Sequence, residues 1–383
     1  MPFTLRPLLF KLHLYLAVAI GVYVAILGIT GAIMAFEAEI DLFAHANLAY
    51  VTPSPPRLSF AELGAAVSEA YPGRKINYYD MGEAPNLATR VYVSADTRTG
   101  DMRVYANPYT GQILGSGNAG VLGFIHSIHQ RLTPSRAGRD DRAKAFVTWI
   151  SVAALFLLVS GVWLWWPRKR FGIDAGGGRS FWYDLHATLG IAAVAFMVLL
   201  TTTGIIMGFG RTTGPMLYAL TGSQPTPTPK IPPPPADTAQ PIAVDRALVI
   251  AAEALPGAKP VSISVPNARG AYFVLVRPSG NSFYLGQVII DQYTGVVLAS
   301  ETPATSPGGG RLAVLIAAIH RGDVLGIPSK VIMALASLII ALQTVSGAVM
   351  WIKRTPFRSM IPALVATAVV TAIAVYTVVV PGG

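Results

Sequence analysis

Five long apolar stretches constrain the fold of this chain more than any other feature of its sequence. They comprise residues 14–36, 145–166, 187–209, 331–352 and 360–380, and none contains a charged side chain. A helix of about 20 apolar residues is long enough to cross a bilayer. Only 13% of the 383 residues are charged, about half the proportion found in a soluble domain. We therefore predict a membrane protein built as a bundle of five transmembrane α-helices, and we exclude an ordinary soluble enzyme and a disordered chain.

Basic residues at the ends of these stretches predict the orientation of the bundle. Arg6 and Lys11 precede the first stretch, and basic clusters at 168–170 and 353–354 follow the second and the fourth. These groups all fall on one side of the membrane, which the positive-inside rule identifies as the cytoplasmic side. The N-terminus is then cytoplasmic, the first stretch is an uncleaved anchor, and both long intervening segments lie outside.

The two long outer segments are copies of each other. Residues 104–116 match residues 288–300, and residues 69–73 match residues 253–257, with the same offset of 184 positions. Each copy predicts a helix, a Pro-Gly pair, alternating strands and a Tyr-Thr-Gly turn, which together form a small α+β domain. The membrane stretches repeat as well. The chain is therefore predicted to contain two parallel repeats, related by a pseudo-twofold axis along the membrane normal, and one extra helix.

This organisation predicts nine consecutive regions. They are an N-terminal segment with the first helix (1–36), a first outer α+β domain (37–144), the second helix (145–166), a cytoplasmic loop (167–185), the third helix (186–209), a second outer α+β domain (210–330), the fourth helix (331–352), a second cytoplasmic loop (353–359) and the fifth helix with the C-terminus (360–383). A proline-rich segment at 225–235 is expected to be an extended linker. Three glycines at 308–310 are expected to form a flexible segment.

Four of the six histidines recur at equivalent positions of the two repeats. His13 and His186 stand at the cytoplasmic start of the first and third stretches, whereas His129 and His320 stand just before the second and fourth. Equivalent positions of two parallel repeats face each other across the axis, so these histidines are expected to form two pairs at two depths. Haem iron takes one axial ligand from each face, which paired imidazoles supply. Histidine in a membrane costs free energy, which favours this function over a purely interfacial role.

Three alternatives remain open beside the two pairs. His126 lies one turn before His129 without an equivalent, and it could replace His129 as a ligand, donate a proton or contact a substrate. His45, near Asp41, is interpreted as a surface residue. A zinc site is a weaker hypothesis than haem, because two histidine pairs at opposite ends of a bundle do not converge on one ion. The chain has no cysteine, which excludes iron–sulfur clusters and covalently attached c-type haem. No pattern indicates nucleic-acid binding.

The motifs around these histidines resemble a known family. The letters LH at 12–13 followed by GITG at 28–31, repeated as LH at 185–186 and TG at 203–204, are similar to the PepSY-associated transmembrane family. The Tyr-Thr-Gly turns resemble those of PepSY modules and stand at 109–111 and 293–295. Within this family the chain resembles the FoxB-like ferric-siderophore reductases of the Gram-negative inner membrane. The outer segments would then be periplasmic PepSY-like domains.

The resemblance implies a haem-containing reductase. It places axial ligands of two b-type haems at His13, His186, His129 and His320, and it implies reduction of a ferric siderophore in the periplasm. The cytoplasmic loops are too short for a flavin or nicotinamide domain, so the electron donor would be a membrane quinol or a separate cytoplasmic reductase. Basic residues near the outer mouth could attract an anionic iron complex; they are Arg131, Arg136, Arg139, Arg142, Lys144 and Arg321.

Two other functions remain as alternatives to a reductase. A non-catalytic interaction protein would regulate a periplasmic partner and would contain no haem. A siderophore permease would need a polar path through the bundle, yet the five stretches contain no charged residue and Gln343 is their only side-chain amide.

Overall fold

The structure is a computed structural model that describes most of the chain. The described residues are 5–94, 101–117, 120–133, 141–169, 171–174, 176, 178–235, 239–267, 270–280, 283–354 and 356–379. The chain divides into two compact units. The membrane unit comprises Met1–Glu37, Leu122–Met216 and Leu315–Gly383, and the sheet unit comprises Ala38–Val121 and Leu217–Val314.

The described residues form the following elements in chain order. The helices are α1 (Leu5–Met34), α2 (Glu37–Ala44), α3 (Ala46–Ala49), α4 (Phe60–Ala70), α5 (Gly120–Arg131), α6 (Asp141–Trp165), α7 (Gly178–Gly208), α8 (Gly210–Leu220), α9 (Val244–Ala254), α10 (Gly308–Arg321), α11 (Ile327–Arg354) and α12 (Phe357–Val379). The strands are β1 (Ile76–Asp80), β2 (Thr89–Val93), β3 (Met102–Ala106), β4 (Ile113–Gly117), β5 (Lys259–Ser264), β6 (Ala271–Arg277), β7 (Gly286–Asp291) and β8 (Val297–Glu301).

Four helices of the described chain are long and apolar enough to cross a membrane. They are α1, α6, α7 and α11, and they cover the first four predicted stretches. The helix α12 covers the fifth stretch, but its apolar part is shorter, Met360–Ile373. The fifth crossing and the orientation of the bundle therefore stay predictions.

The four long helices pack as a ring in the membrane unit. Helix α1 contacts α6 and α11, and α7 contacts the same two helices from the other side. Glycines allow the closest approaches between them, because a Cβ at Gly28 would lie 2.6 Å from the Ser337 carbonyl oxygen, and one at Gly208 would overlap Thr148 Oγ1. Small residues let helix backbones approach each other in a membrane, where apolar burial no longer drives association.

Helix α12 packs against α1 and α6 and has no equivalent in the second repeat. Two hydrogen bonds hold it on α1: Tyr23 Oη donates to Thr371 Oγ1 at 2.9 Å, and Thr367 Oγ1 donates to the Val18 carbonyl at 3.1 Å. These bonds satisfy polar groups that hydrocarbon could not solvate.

Eight antiparallel strands form one continuous sheet in the sheet unit. Their order is β4-β3-β2-β1-β5-β6-β7-β8, so each repeat contributes a four-stranded meander. The strands β1 and β5 join the two meanders, with Tyr79 opposite Ile263 and Tyr78 opposite Ser264. The offset of 184 positions maps Tyr79 onto Ile263, so the pseudo-twofold axis of the sheet passes through this pair. The sequence predicted two α+β domains and did not indicate that they share a sheet.

The helix predicted in each copy is α4 in the first and α9 in the second, and both pack on one face of the sheet. Their contact with the sheet is the hydrophobic core, where Leu63, Val67, Ala247 and Ala251 meet the buried valines of the strands. The Tyr-Thr-Gly turns are also present, with Gly111 and Gly295 at φ +74° and +73°, a backbone conformation that favours glycine.

The three glycines at 308–310 are not the flexible segment that the sequence predicted. They form the first turn of α10, where Gly309 lies against α8. A Cβ at Gly309 would lie 2.5 Å from two ring atoms of Tyr218, and the Gly309 N–H donates to Ser223 Oγ at 3.0 Å. Close packing rather than flexibility therefore explains these glycines.

Candidate functional site

The outer pair, His129 and His320, is brought together by two short helices that the sequence analysis did not predict. His129 lies in the last turn of α5, and His320 lies in the last turn of α10. Their ring centres are 6.4 Å apart, and the ring planes meet at 49°. Because a metal–imidazole bond is about 2 Å long, two axial imidazoles on one iron have ring centres about 6 Å apart. The spacing of this pair therefore fits a single iron between the rings.

Two threonines orient the rings of the outer pair. His129 Nδ1 lies 2.9 Å from Thr30 Oγ1, and His320 Nδ1 lies 3.0 Å from Thr203 Oγ1. Each threonine hydroxyl donates its own hydrogen to a carbonyl of its helix, at 2.6 Å to Ile26 and at 2.7 Å to Leu199. The hydroxyl oxygen is thus left to accept the Nδ1–H, which leaves the Nε2 lone pair of each neutral ring available to a metal.

Two serines repeat this arrangement at the inner pair, His13 and His186. His13 Nδ1 lies 2.8 Å from Ser160 Oγ of α6, and His186 Nδ1 lies 2.9 Å from Ser346 Oγ of α11. Both serine hydroxyls donate to carbonyls of their own helices, so they too accept from Nδ1. All four histidines therefore have the tautomer that a ligand through Nε2 requires.

A glycine follows each of the four hydroxyl residues and faces the histidine ring. A Cβ at Gly31 would lie 3.1 Å from His129 Cε1, and one at Gly204 would lie 3.2 Å from His320 Cε1. The same distance is 3.5 Å for Gly161 with His13 and for Gly347 with His186. The sequence analysis had not assigned a role to these hydroxyl-glycine dipeptides. Thr-Gly recurs 17 residues after His13 and after His186, and Ser-Gly recurs five residues before Trp165 and before Trp351, and this repetition is the signal that could have revealed their role.

The two pairs occupy different depths of the membrane unit. Helix α1 carries both His13 and Thr30, the partner of His129, and α7 carries His186 and Thr203 in the same relation. Seventeen helical residues separate the two positions, which at 1.5 Å per residue is about 25 Å along the helix. Two separate metal centres, rather than one four-ligand centre, fit this spacing. The described residues contain no group of three or more histidine, aspartate or glutamate side chains that could hold one ion.

His126 has different contacts from the four paired histidines. Its Nδ1 lies 3.1 Å from Glu37 Oε2, and its Nε2 lies 2.7 Å from Gln130 Nε2. Both ring nitrogens are therefore engaged by neighbours, whereas His129 faces His320. The geometry favours His129 over His126 as the partner of His320.

The remaining candidates lie away from the pairs or have other contacts. His45 belongs to the sheet unit, where its ring stacks on Tyr105 and its Nδ1 lies 3.0 Å from the Asp41 carbonyl oxygen. Arg321 forms an ion pair with Asp323 at 2.7 Å. Arg131 donates to Gln130 at 3.1 Å. Arg136 and Arg139 lie outside the described residues.

A comparison with protein families finds one family model that matches most of the chain. A family model described as the PepSY-associated TM region matches residues 10–354. The match includes the four long helices, both histidine pairs and the sheet. A comparison with curated proteins finds no match.

Proposed function

This chain belongs to the PepSY-associated transmembrane family, and we propose that it is a haem-containing reductase that carries electrons across the bacterial inner membrane to ferric siderophores. The observation that supports this proposal most strongly is the outer pair. Two imidazoles with ring centres 6.4 Å apart, each with its Nδ1 bound and its Nε2 available, are the donor set of a six-coordinate haem.

The proposed role of the four histidines follows from their hydrogen bonds. A haem in each pair would supply a one-electron carrier at each of two depths. The protein orients the imidazoles through Thr30, Thr203, Ser160 and Ser346. Hydrogen bonds to Nδ1 also raise the basicity of a ligating histidine.

The proposed substrate follows from the family resemblance and from the chemistry of iron. Siderophores hold Fe(III) through hard oxygen donors, and they bind Fe(II) weakly, so one electron releases the metal without breaking the chelator. The donor would be a membrane quinol or a cytoplasmic reductase. A quinol gives two electrons and two protons, and each oxidised quinol would therefore reduce two ferric ions.

Electron transfer to a ferric siderophore tests this function. The protein is purified with haem, reduced with dithionite, freed of excess reductant and mixed anaerobically with a ferric hydroxamate, while a ferrous chelator records released Fe(II). We expect the haem bands to re-oxidise with stoichiometric Fe(II) formation. His320→Ala should abolish this reaction, and His45→Ala, outside both pairs, should preserve it.

Two results would contradict the proposal. Reduced protein that re-oxidises no faster with the siderophore than with buffer would exclude this acceptor. Protein that contains no haem after expression with excess haem precursor would instead favour a non-catalytic interaction protein.

A further inference from the structure

Two arginines repeat the same contact beside the inner histidine pair. The Arg168 guanidinium lies over the Tyr183 ring, 5.6 Å from its centre, and the Arg354 guanidinium lies over the Phe10 ring at 5.7 Å. Arg168 also donates from Nη1 to Tyr183 Oη at 3.0 Å. The contact therefore occurs once in each repeat, with nearly the same distance.

The two arginines, and the two aromatic residues beneath them, occupy equivalent sequence positions of the two repeats. The offset of 173 positions that maps His13 onto His186 also maps Phe10 onto Tyr183, and the offset of 186 that maps Ser160 onto Ser346 also maps Arg168 onto Arg354. Each aromatic residue precedes its histidine by three positions, so it lies one turn away on the same helix face. Two guanidinium groups thus flank the inner pair, one from each half, at the basic end of the bundle.

Neither guanidinium is neutralised within the described part of the chain. No described carboxylate forms an ion pair with Arg168 or Arg354, whereas Arg321 near the outer pair is bound to Asp323. An aromatic face holds a guanidinium in a defined plane, and the N–H groups at its edge can bind a carboxylate. Arg168 uses one of its five N–H donors for Tyr183 Oη. The two arginines are therefore oriented, charged and without an anion.

We propose that Arg168 and Arg354 form an anchor for the two propionate carboxylates of the haem that the inner pair holds. Haem carries both propionates on one edge, and each guanidinium would bind one of them. The anchor would set the orientation of the macrocycle at the inner site. This inference rests on the proposed function, because it needs a haem between His13 and His186.

Lys169 provides a matched control for the two arginines. Its Nζ lies 4.6 Å from the centre of the Trp166 ring, so it is also a cation on an aromatic face at the same end of the bundle. The second repeat has no equivalent contact, since the offset of 186 maps Lys169 onto Thr355. Lys169 and the exposed Lys353 can therefore be exchanged for glutamine without altering the anchor.

A comparison of haem with haem dimethyl ester, whose propionates carry no charge, tests the anchor. The full chain with His320→Ala, in which only the inner pair is complete, is purified free of haem and titrated with each ligand. Esterification should weaken binding about 10- to 100-fold, the usual effect of losing a group that supports a metal site. Arg168→Gln with Arg354→Gln should weaken haem binding to a similar extent and should leave at most a twofold difference between the two ligands.

The controls separate the anchor from other roles of these arginines. Lys169→Gln with Lys353→Gln should retain the full penalty for esterification, and each single arginine variant should retain about half of it in free energy, because each group binds one carboxylate. If the double arginine variant does not fold, the single variants decide the question.

Three outcomes would contradict the anchor for different reasons. An esterification penalty that is unchanged in the arginine variants would overturn the anchor. The same unchanged penalty together with weaker retention of anionic phospholipid would assign the arginines to lipid headgroups instead. If the His320→Ala chain binds no haem at all, the inner pair does not hold a haem, and both the proposed haem site and its anchor are overturned.

Discussion

Hydrogen-bond acceptors beside Nδ1 determine which nitrogen of each paired histidine can bind a metal, and at His320 they are the Thr203 hydroxyl and the Leu200 carbonyl. Thr203 donates its hydrogen to the Leu199 carbonyl, so its oxygen accepts from His320 Nδ1 and Nε2 stays available. The glycine that follows leaves room for the ring beside the helix. A hydroxyl residue followed by glycine stands beside each of the other three histidines as well. It is Thr-Gly at the outer pair and Ser-Gly at the inner pair.

Replacement of Thr203 by valine tests the role of the hydroxyl. Thr203→Val keeps the shape of the side chain but removes one of the two acceptors for His320 Nδ1 and leaves the Leu200 carbonyl at 3.1 Å, so we expect about 10-fold weaker haem binding at the outer pair. Thr201→Val is the matched control, because Thr201 lies on the same helix and, among the described residues, its hydroxyl bonds only to the Met197 carbonyl. Haem titration of the apoprotein measures the effect, and equal affinities for both variants would show that the hydroxyl does not orient the ring.

Two short helices, each with a histidine in its last turn, bring the outer pair together. The sequence predicted the positions of His129 and His320 but not α5 and α10, because 12 and 14 residues are too few to stand out as membrane stretches. Three successive glycines also argue against a helix by intrinsic preference. In α10 the packing of Gly309 on Tyr218 outweighs that preference, and such packing is not visible in one sequence.

The elements with strong local signals were predicted well for physical reasons. The stretches that became α1, α6, α7 and α11 are apolar over about 20 consecutive residues, which predicts a membrane span, and the Tyr-Thr-Gly turns need a positive φ that glycine supplies. The pairing of β1 with β5 could not be predicted from the sequence. Each is the first strand of its own meander, and nothing in the sequence of one repeat indicates that this strand pairs with the other repeat.

The start of α4 depends on a carboxylate of the other repeat. Asp245 of α9 accepts from the Phe60 N–H at 2.8 Å and from the Ala61 N–H at 3.1 Å, beside the capping box of Ser59 and Glu62. We expect Asp245→Ala to destabilise this region by about 1 kcal/mol, the usual cost of a lost helix cap. Glu253→Ala on the same helix removes only an exposed ion pair and should have little effect. Hydrogen exchange of residues 60–70 in the full chain measures both, and equal protection in the two variants would contradict the cap.

Most features of the molecule occur once in each of its two repeats, whereas two features have no equivalent. Both histidine pairs, their hydroxyl-glycine partners and the stacked arginines obey the repeat, as expected for two symmetric ligand sites. His126 and α12 do not obey it. His126 contacts Glu37 and Gln130, and the main contacts of α12 among the described residues are with α1 and α6 of the first repeat. Sequence comparison of the two halves had identified both exceptions without assigning their contacts.

The haem content of pair variants tests the central claim most directly. Pyridine haemochrome spectra and protein assay are combined to count haems per chain after expression with excess haem precursor. We expect two haems in the unaltered chain and in His45→Ala, one in His13→Ala, one in His320→Ala, and none when both pairs are broken. A chain with both pairs broken that still contains two haems, or an unaltered chain that contains none, would contradict the account.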